Sequence, residues 1–180
     1  MRVIAGSLGG RRLKAPRGLR TRPTSERVRE AVFAMLGELD GPVVLDLFAG
    51  SGALGIEALS RGAQRTVFVE RDPRALRALA ENLAQLELAG DVAEVRRAEA
   101  LAALRTARER AETYDLLFID PPYGMAERLA EQLGALLAPL LAPGARVVVE
   151  SHRRTPLVLE LPVARERRYG DTSITIHRQP

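Results

Sequence analysis

The residues best suited to chemistry stand in the stretch FIDPPYG, residues 118–124, where Asp120 precedes Pro121, Pro122 and Tyr123. Two consecutive prolines fix φ and carry no N–H donor, so a strand that reaches Asp120 must turn there. The carboxylate then either caps the following helix or faces a ligand at a strand end. A second stretch, LDLFAGSGALG (45–55), sets Gly50, Gly52 and Gly55 in a G-x-G-x-x-G pattern, and Glu70 follows 20 residues after Gly50. Glycines let a ligand approach the backbone, and an acid after the next strand accepts hydrogen bonds from ribose hydroxyls. A nicotinamide-dependent dehydrogenase is one reading of that pattern. However, Asp46, Leu47, Phe48 and Ala49 stand between the strand and the first glycine, where the dehydrogenase turn is normally immediate, and there is little room for a separate substrate domain. Asp46 would repel a diphosphate but suits an ammonium or sulfonium group, which favours S-adenosylmethionine. A third acid, Glu99, can accept from an adenine amino group while the Ala100 N–H donates to the ring. Glu99 can equally be a charge stabilised by a helix N-terminus.

These residues need a scaffold that brings strand ends together. Apolar runs at 42–48, 65–70, 92–98, 114–120 and 145–151 have strand character and are separated by helical patterns, one of them opened by Pro73 and another stopped by Gly62. Strands alternating with helices predict right-handed βαβ units and an α/β fold with a doubly wound, mostly parallel sheet. Ligands in such sheets bind outside the carboxyl ends of the strands, at the switch point of the strand order. Residues 157–179 read instead as two strands around YGDT, with Ile174 and Ile176 alternating, which predicts an antiparallel C-terminal hairpin at the sheet edge. Ahead of the first strand, Val28, Val32, Met35, Leu36 and Leu39 have helical spacing, with Thr24 or Ser25 placed as the N-cap. We divide the chain into a basic N-terminal arm and helix, residues 1–40, and a body, residues 41–180.

Charge is divided unevenly between these parts. Residues 1–29 hold nine basic side chains against the single acid Glu26, a net of +8, while the remainder carries −4. A basic arm on a mildly acidic body suits a polyanion, because each phosphate neutralised by Arg or Lys releases condensed counterions. Arg11, Arg12, Lys14, Arg20, Arg22 and Arg29 are the candidates, on an arm that Gly9, Gly10, Pro16 and Pro23 make extended and bent. A solvated tail is the plainer alternative. The chain has no cysteine and two separate histidines, which argues against disulfides and a protein metal site. Its apolar runs are too short to span a bilayer, and the start has no apolar stretch of signal-peptide length, so a cytoplasmic location is expected.

Taken together, RPTSERVREAVFAML, LDLFAGSGALGIEALSRGA, VERDP, FIDPPYG, the GGRRLKAP arm and the terminal RYGDTSITI resemble the bacterial small-subunit ribosomal RNA guanine-N2 methyltransferases, over roughly the whole chain. The resemblance implies a Rossmann-like class I methyltransferase fold and S-adenosylmethionine as methyl donor. It implies Asp46, Ala49, Gly50, Ser51 and Gly52 around the methionine half, Glu70 at the ribose, and Glu99 with Ala100 at the adenine. Thr24 and Arg27 would close over the methionine carboxylate, although Arg27 also reads as a surface helix charge. Glu99 departs from the family, which usually has Asn or Asp there. Asp120 and the Pro121 carbonyl would accept hydrogen bonds from a guanine amine, held by Pro122, while Tyr123 offers a face for an unstacked base. Ribosomal RNA within a small subunit is the implied partner, with no membrane and no metal. The D-P-P-Y tetrapeptide is shared with DNA adenine and cytosine amine methyltransferases, which remain an alternative. A non-catalytic RNA-binding module is a further one.

Overall fold

The computed structural model describes residues 1–16, 25–122 and 126–180, with side chains detailed for all of these except 126–128. Thr24, Arg20, Arg22 and Tyr123 therefore lie outside the described residues. Five helices, α1 (Glu26–Leu36), α2 (Ala53–Ser60), α3 (Pro73–Gln85), α4 (Ala100–Glu109) and α5 (Ala126–Leu137), alternate with strands β1 (Val43–Asp46), β2 (Arg65–Glu70), β3 (Ala93–Arg97), β4 (Tyr114–Ile119) and β5 (Leu141–His152). The chain then closes with β6 (Val163–Tyr169) and β7 (Thr172–Arg178).

All seven strands form one sheet in the order β3-β2-β1-β4-β5-β7-β6. The first five are mutually parallel, and β7 runs antiparallel to both β5 and β6. The doubly wound, mostly parallel sheet and the C-terminal hairpin anticipated above are thus present. The strand order reverses between β1 and β4, so their carboxyl ends open the switch-point crevice in which such folds bind ligands. Asp46 ends β1, and Asp120 follows the last residue of β4.

Side-chain alternation divides the core between two faces of the sheet. Leu45, Val67, Leu117, Ile119, Val147 and Val149 pack with α4 and α5 residues such as Leu104 and Leu133. Val44, Phe118, Val148, Ile174 and Ile176 pack with Val28, Val32, Phe33 and Leu36 of α1. The central strands are buried on both faces and so read in sequence as unbroken apolar runs. β5 begins earlier than its 145–151 run, because Leu141 already pairs with Tyr114 before a register shift leads to the Leu116–Arg146 pair.

The N-terminal residues differ most from expectation. Instead of an extended arm, residues 1–13 double back through an antiparallel bridge between Arg2 and Arg12, and Val3 and Leu13 bury against Ile56, Phe68, Leu79 and Leu83. Gly6 adopts φ 83°, and a Cβ there would fall 1.8 Å from the Ser60 carbonyl oxygen, so only glycine permits this approach to α2. The Ser7 N–H donates to that oxygen at 2.8 Å, and the Leu8 N–H to the Ser60 hydroxyl at 3.0 Å.

Glu57 of α2 is the hub of this docking. It is fully buried, and its carboxylate accepts from the Ile4 N–H at 2.7 Å, the Ala5 N–H at 3.1 Å and the Arg61 guanidinium at 2.7 Å. The equally buried Arg29 of α1 lies 3.6 Å away and donates to the Arg2 carbonyl. Arg29 is therefore not a phosphate-gripping residue, which corrects the expectation from charge counting: its guanidinium is 0% exposed and committed to the interior. Removing one member of a buried ion pair costs about 3–5 kcal/mol, whereas removing both is far milder. Glu57→Leu should accordingly lower unfolding stability in urea by about that amount, and adding Arg29→Met should recover part of it. A Glu57→Leu loss below about 1 kcal/mol would contradict the hub role.

Candidate functional site

The crevice at the carboxyl rim is built from the ends of β1, β2 and β4 and the loop that leaves β1. That loop is held on both sides after the strand ends: the Leu47 N–H donates to the Phe118 carbonyl at 3.0 Å, and the Ala49 N–H to the Val69 carbonyl at 2.9 Å. Gly50 then turns with φ 56° and has open space where a Cβ would stand, so its backbone is accessible to a ligand. Gly55 serves packing instead, since a Cβ there would meet the Phe68 ring at 2.3 Å. Gly52 stands between them as the N-cap of α2.

Three carboxylates share the rim. Asp46 is 2% exposed and accepts one hydrogen bond from the Gly55 N–H, at 3.0 Å. Burial pushes its carboxyl up to about 7; the Gly55 bond opposes that rise, and the charges of Asp120 and Glu70 add to it. Those couplings place all three acids in one electrostatic neighbourhood. Glu70 spans the rim with its two oxygens, accepting the Gly50 N–H at 2.8 Å on one and the Arg71 and Asp72 N–H groups at 2.7 Å on the other. Asp120, Pro121 and Pro122 continue from β4, with Asp120 half-buried. The helix described next is α5, from Ala126. An acid whose ionisation is opposed by burial and by two neighbouring carboxylates is neutralised either by a proton or by a cation placed beside it.

The remaining candidates lie around this centre. The Ala98 N–H donates to the Glu70 carbonyl at 3.1 Å, so Glu99 and Ala100 adjoin the same rim. Glu99 occupies the N-cap position of α4 without a side-chain capping bond, and its carboxylate is paired with Arg71. Arg27 is exposed in the first turn of α1, whose N-cap is Ser25, accepting from the Val28 N–H at 3.2 Å. Ser51 and Ala49 are buried in the glycine loop. Arg11, Arg12 and Lys14 are exposed, Arg11 donating to the Gln85 carbonyl and Lys14 pairing with Glu81 at 2.9 Å.

Two participants escaped the sequence reading. Asn82 of α3, fully buried, donates to the Ser51 carbonyl at 2.9 Å and to the Lys14 carbonyl at 3.0 Å, and accepts from the Lys14 N–H at 2.7 Å. It ties the glycine loop to the N-terminal segment. Its spacing from Ala75, Ala78 and Leu79 sets it on the apolar face of the helix, which is the signal that marks it. Arg71, directly after Glu70, is the second, through its pairing with Glu99. Among the described residues no group of three or more His, Asp and Glu side chains could hold a metal ion, and no helix is long and apolar enough to cross a membrane.

Comparison with known proteins adds an independent line. The family model described as "Conserved hypothetical protein 95" matches residues 1–178. The Bacillus subtilis protein named "Putative rRNA methyltransferase YlbH" is 42% identical over 188 residues, covering 99% of each chain. The "Ribosomal RNA small subunit methyltransferase D" of Haemophilus influenzae is 37% identical over 161 residues, 88% of this chain and 82% of that one. Among solved structures, "Putative methyltransferase yhhF from Escherichia coli" is similar with a TM-score of 0.83 at 33% identity, covering 99% of this chain and 97% of that chain.

The acid cluster makes a prediction that needs no ligand. A carboxyl NMR titration should place the Asp46 midpoint near 7, and Asp120→Asn should lower it by removing a neighbouring charge. Because the folded state holds this proton more tightly than the unfolded chain, Asp46 should make stability fall as pH rises from the ordinary carboxylate range, about 4, to 7, and contribute no slope above. An Asp46 midpoint near 4 would contradict this account of the rim.

Proposed function

We propose, from the premise that this chain belongs to the conserved hypothetical protein 95 family together with the ribosomal RNA small subunit methyltransferase D proteins, that it methylates the exocyclic N2 amine of a guanine in small-subunit ribosomal RNA, with S-adenosylmethionine as donor. The observation that carries the reading is the convergence of Asp120 with Asp46 and Glu70 at the switch point, beside a glycine loop with open space at Gly50. That donor set fits S-adenosylmethionine: a sulfonium and an ammonium are cations, and an anionic Asp46 is otherwise penalised by burial. Asp46, Ala49, Gly50, Ser51 and Gly52 would hold the methionine half and Glu70 the ribose. Glu99 and Ala100 would meet the adenine, and Thr24 and Arg27 would cover the carboxylate. When bound, the donor supplies an electrophilic methyl group on sulfur.

The chain's own residues then have to make a poor nucleophile competent. The lone pair of an amine conjugated to a purine is delocalised. In this reading Asp120 and the Pro121 carbonyl accept the two amine hydrogens and favour a pyramidal nitrogen with its lone pair directed at the methyl group. Pro121 and Pro122 hold these acceptors without a competing N–H, Tyr123 supports the unstacked base, and the acceptors stabilise positive charge growing on nitrogen. Residues 1–40 would serve RNA binding, with Arg11, Arg12, Lys14, Arg20 and Arg22 positioning phosphates while the pocket selects the base. Residues 41–180 would serve methyl transfer. A substrate of this kind belongs to the cytoplasm, where small subunits are assembled.

Incubation with labelled S-adenosylmethionine and small subunits, deproteinised small-subunit rRNA or duplex DNA tests the proposal, with mass mapping of the modified nucleotide. Methylguanosine in rRNA is expected; label in DNA alone, or in a base other than guanine, would overturn it. Asp120→Ala should lower turnover by about a hundredfold while leaving donor affinity nearly unchanged. Since a proton on Asp46 competes with a cationic ligand, donor affinity should weaken as pH falls below about 7, and Asp46→Asn should flatten that dependence.

A further inference from the structure

The rim carries basic residues at the opposite end of the sheet from the N-terminal segment, and none of them entered the reading above. Strand β6 is an edge strand that exposes Arg165, Arg167 and Arg168, and the turn after β5 exposes Arg153 and Arg154. Arg168 is engaged by Glu166 at 3.0 Å and Arg153 by Asp171 at 3.2 Å, while Arg165 donates to the Met35 carbonyl at the end of α1. Arg154 and Arg167 make no ion pair among the described residues; Arg167 reaches only the Glu166 carbonyl, at 3.4 Å. Two guanidiniums without a carboxylate partner are therefore left facing solvent.

Register gives their position. Ile119 is level with Val149, and Val149 with Thr175, which pairs with Glu166; Asp120 and Arg167 each stand one residue further toward the rim. Three strand spacings separate them, about 14 Å at the usual distance between neighbouring strands. Arg167 pairs with Ile174, which packs with α1, so Arg167 projects on the α1 face of the sheet. The N-terminal segment lies on that same face, over Phe68 of β2, on the other side of the β1/β4 crevice. Arg154 lies beyond the carboxyl end of β5, between the crevice and β6. Basic groups thus bracket the crevice on both sides, within a few nucleotides of a base inserted there.

We propose that Arg154 and Arg167 form a second phosphate-binding surface, which holds substrate RNA on the β6 side of the crevice while the N-terminal segment holds it on the β2 side. This rests on the rRNA reading of the site. Neither residue touches the acid cluster, so the surface acts on RNA affinity and leaves the donor site alone. Each phosphate contact contributes about 0.7–0.9 to the slope of log affinity against log salt.

The test compares wild type, Arg154→Ala/Arg167→Ala and Arg154→Lys/Arg167→Lys in RNA binding and methyl transfer, with small subunits and with deproteinised small-subunit rRNA. The alanine pair should raise the RNA KM roughly tenfold at low salt and flatten the salt slope by roughly 1.4–1.8, with S-adenosylmethionine affinity unchanged. The lysine pair should restore most of both. Wild-type transfer to rRNA with no change of KM or slope in the alanine pair would overturn the surface and leave the function standing. A change confined to assembled subunits would also overturn it, because the contact would then be with protein. Absence of RNA binding by the wild type would overturn the function and the surface with it.

Discussion

The buried carboxylate of Glu57 fixes the relation between the N-terminal segment and the body. A fully buried charge is tolerated only when its hydrogen-bonding capacity is filled. Here the partners come from three places in the chain: the N–H groups of Ile4 and Ala5 and the Arg61 guanidinium at the end of α2 donate to the carboxylate, and Arg29 on α1 supplies a countercharge at 3.6 Å. Withdrawing any one of these elements would leave Glu57 short of a donor or of its countercharge in the interior. α2 starts at the glycine loop, so the same helix that begins the crevice also anchors residues 1–8. Asn82 repeats the arrangement from the other side by bonding Ser51 and Lys14 together. The basic segment is thereby referenced to the site rather than tethered loosely beside it.

That rigidity matters because the rim is electrostatically uneasy. Asp46, Glu70 and Asp120 face one crevice, and burial already raises the cost of ionising Asp46. Glu70 relieves part of the problem by accepting three backbone N–H groups, each a fixed dipole. Among the described residues Asp46 accepts only the Gly55 N–H, so it has more to gain from a cation than Glu70. Under the proposed function the sulfonium and ammonium of the donor would meet dipoles that are already oriented, the condition under which electrostatic stabilisation is strongest.

Much of this was legible in the sequence because the signals were periodic or conformationally strict. Apolar runs alternating with helical patterns gave the doubly wound sheet, and the Ile174 and Ile176 alternation gave the final strand. The glycine loop and the proline turn located the rim because few residues can satisfy those backbones. The docking of the N-terminal segment and the burial of Arg29 are not legible from a charge count, because a count does not separate surface arginines from interior ones. Arg29 has Val32, Phe33 and Leu36 at i+3, i+4 and i+7, so helical spacing already set it on the buried face. Glu57 likewise stands in the otherwise apolar helix ALGIEALS. A charged residue at an apolar position announces burial, but its partner stands 28 residues away, and only the fold brings the two together.

The split between buried and exposed arginines also bears on how a small body could hold a large polyanion. Arg29 spends its charge in the interior, paired with Glu57 and donating to the Arg2 carbonyl. Arg11 and Arg12 stay exposed on the segment so positioned, and Arg154 and Arg167 stay exposed on the far side of the same crevice. Phosphate contacts are individually weak, salt-sensitive and indifferent to sequence, so their value lies in where they are held. Fixed at two places on either side of one pocket, they constrain both the position and the direction of a strand. A single mobile arm would constrain neither. Selectivity for one nucleotide then requires only that the pocket between them accept one base, the task that the proposed function assigns to Asp120 and its proline turn.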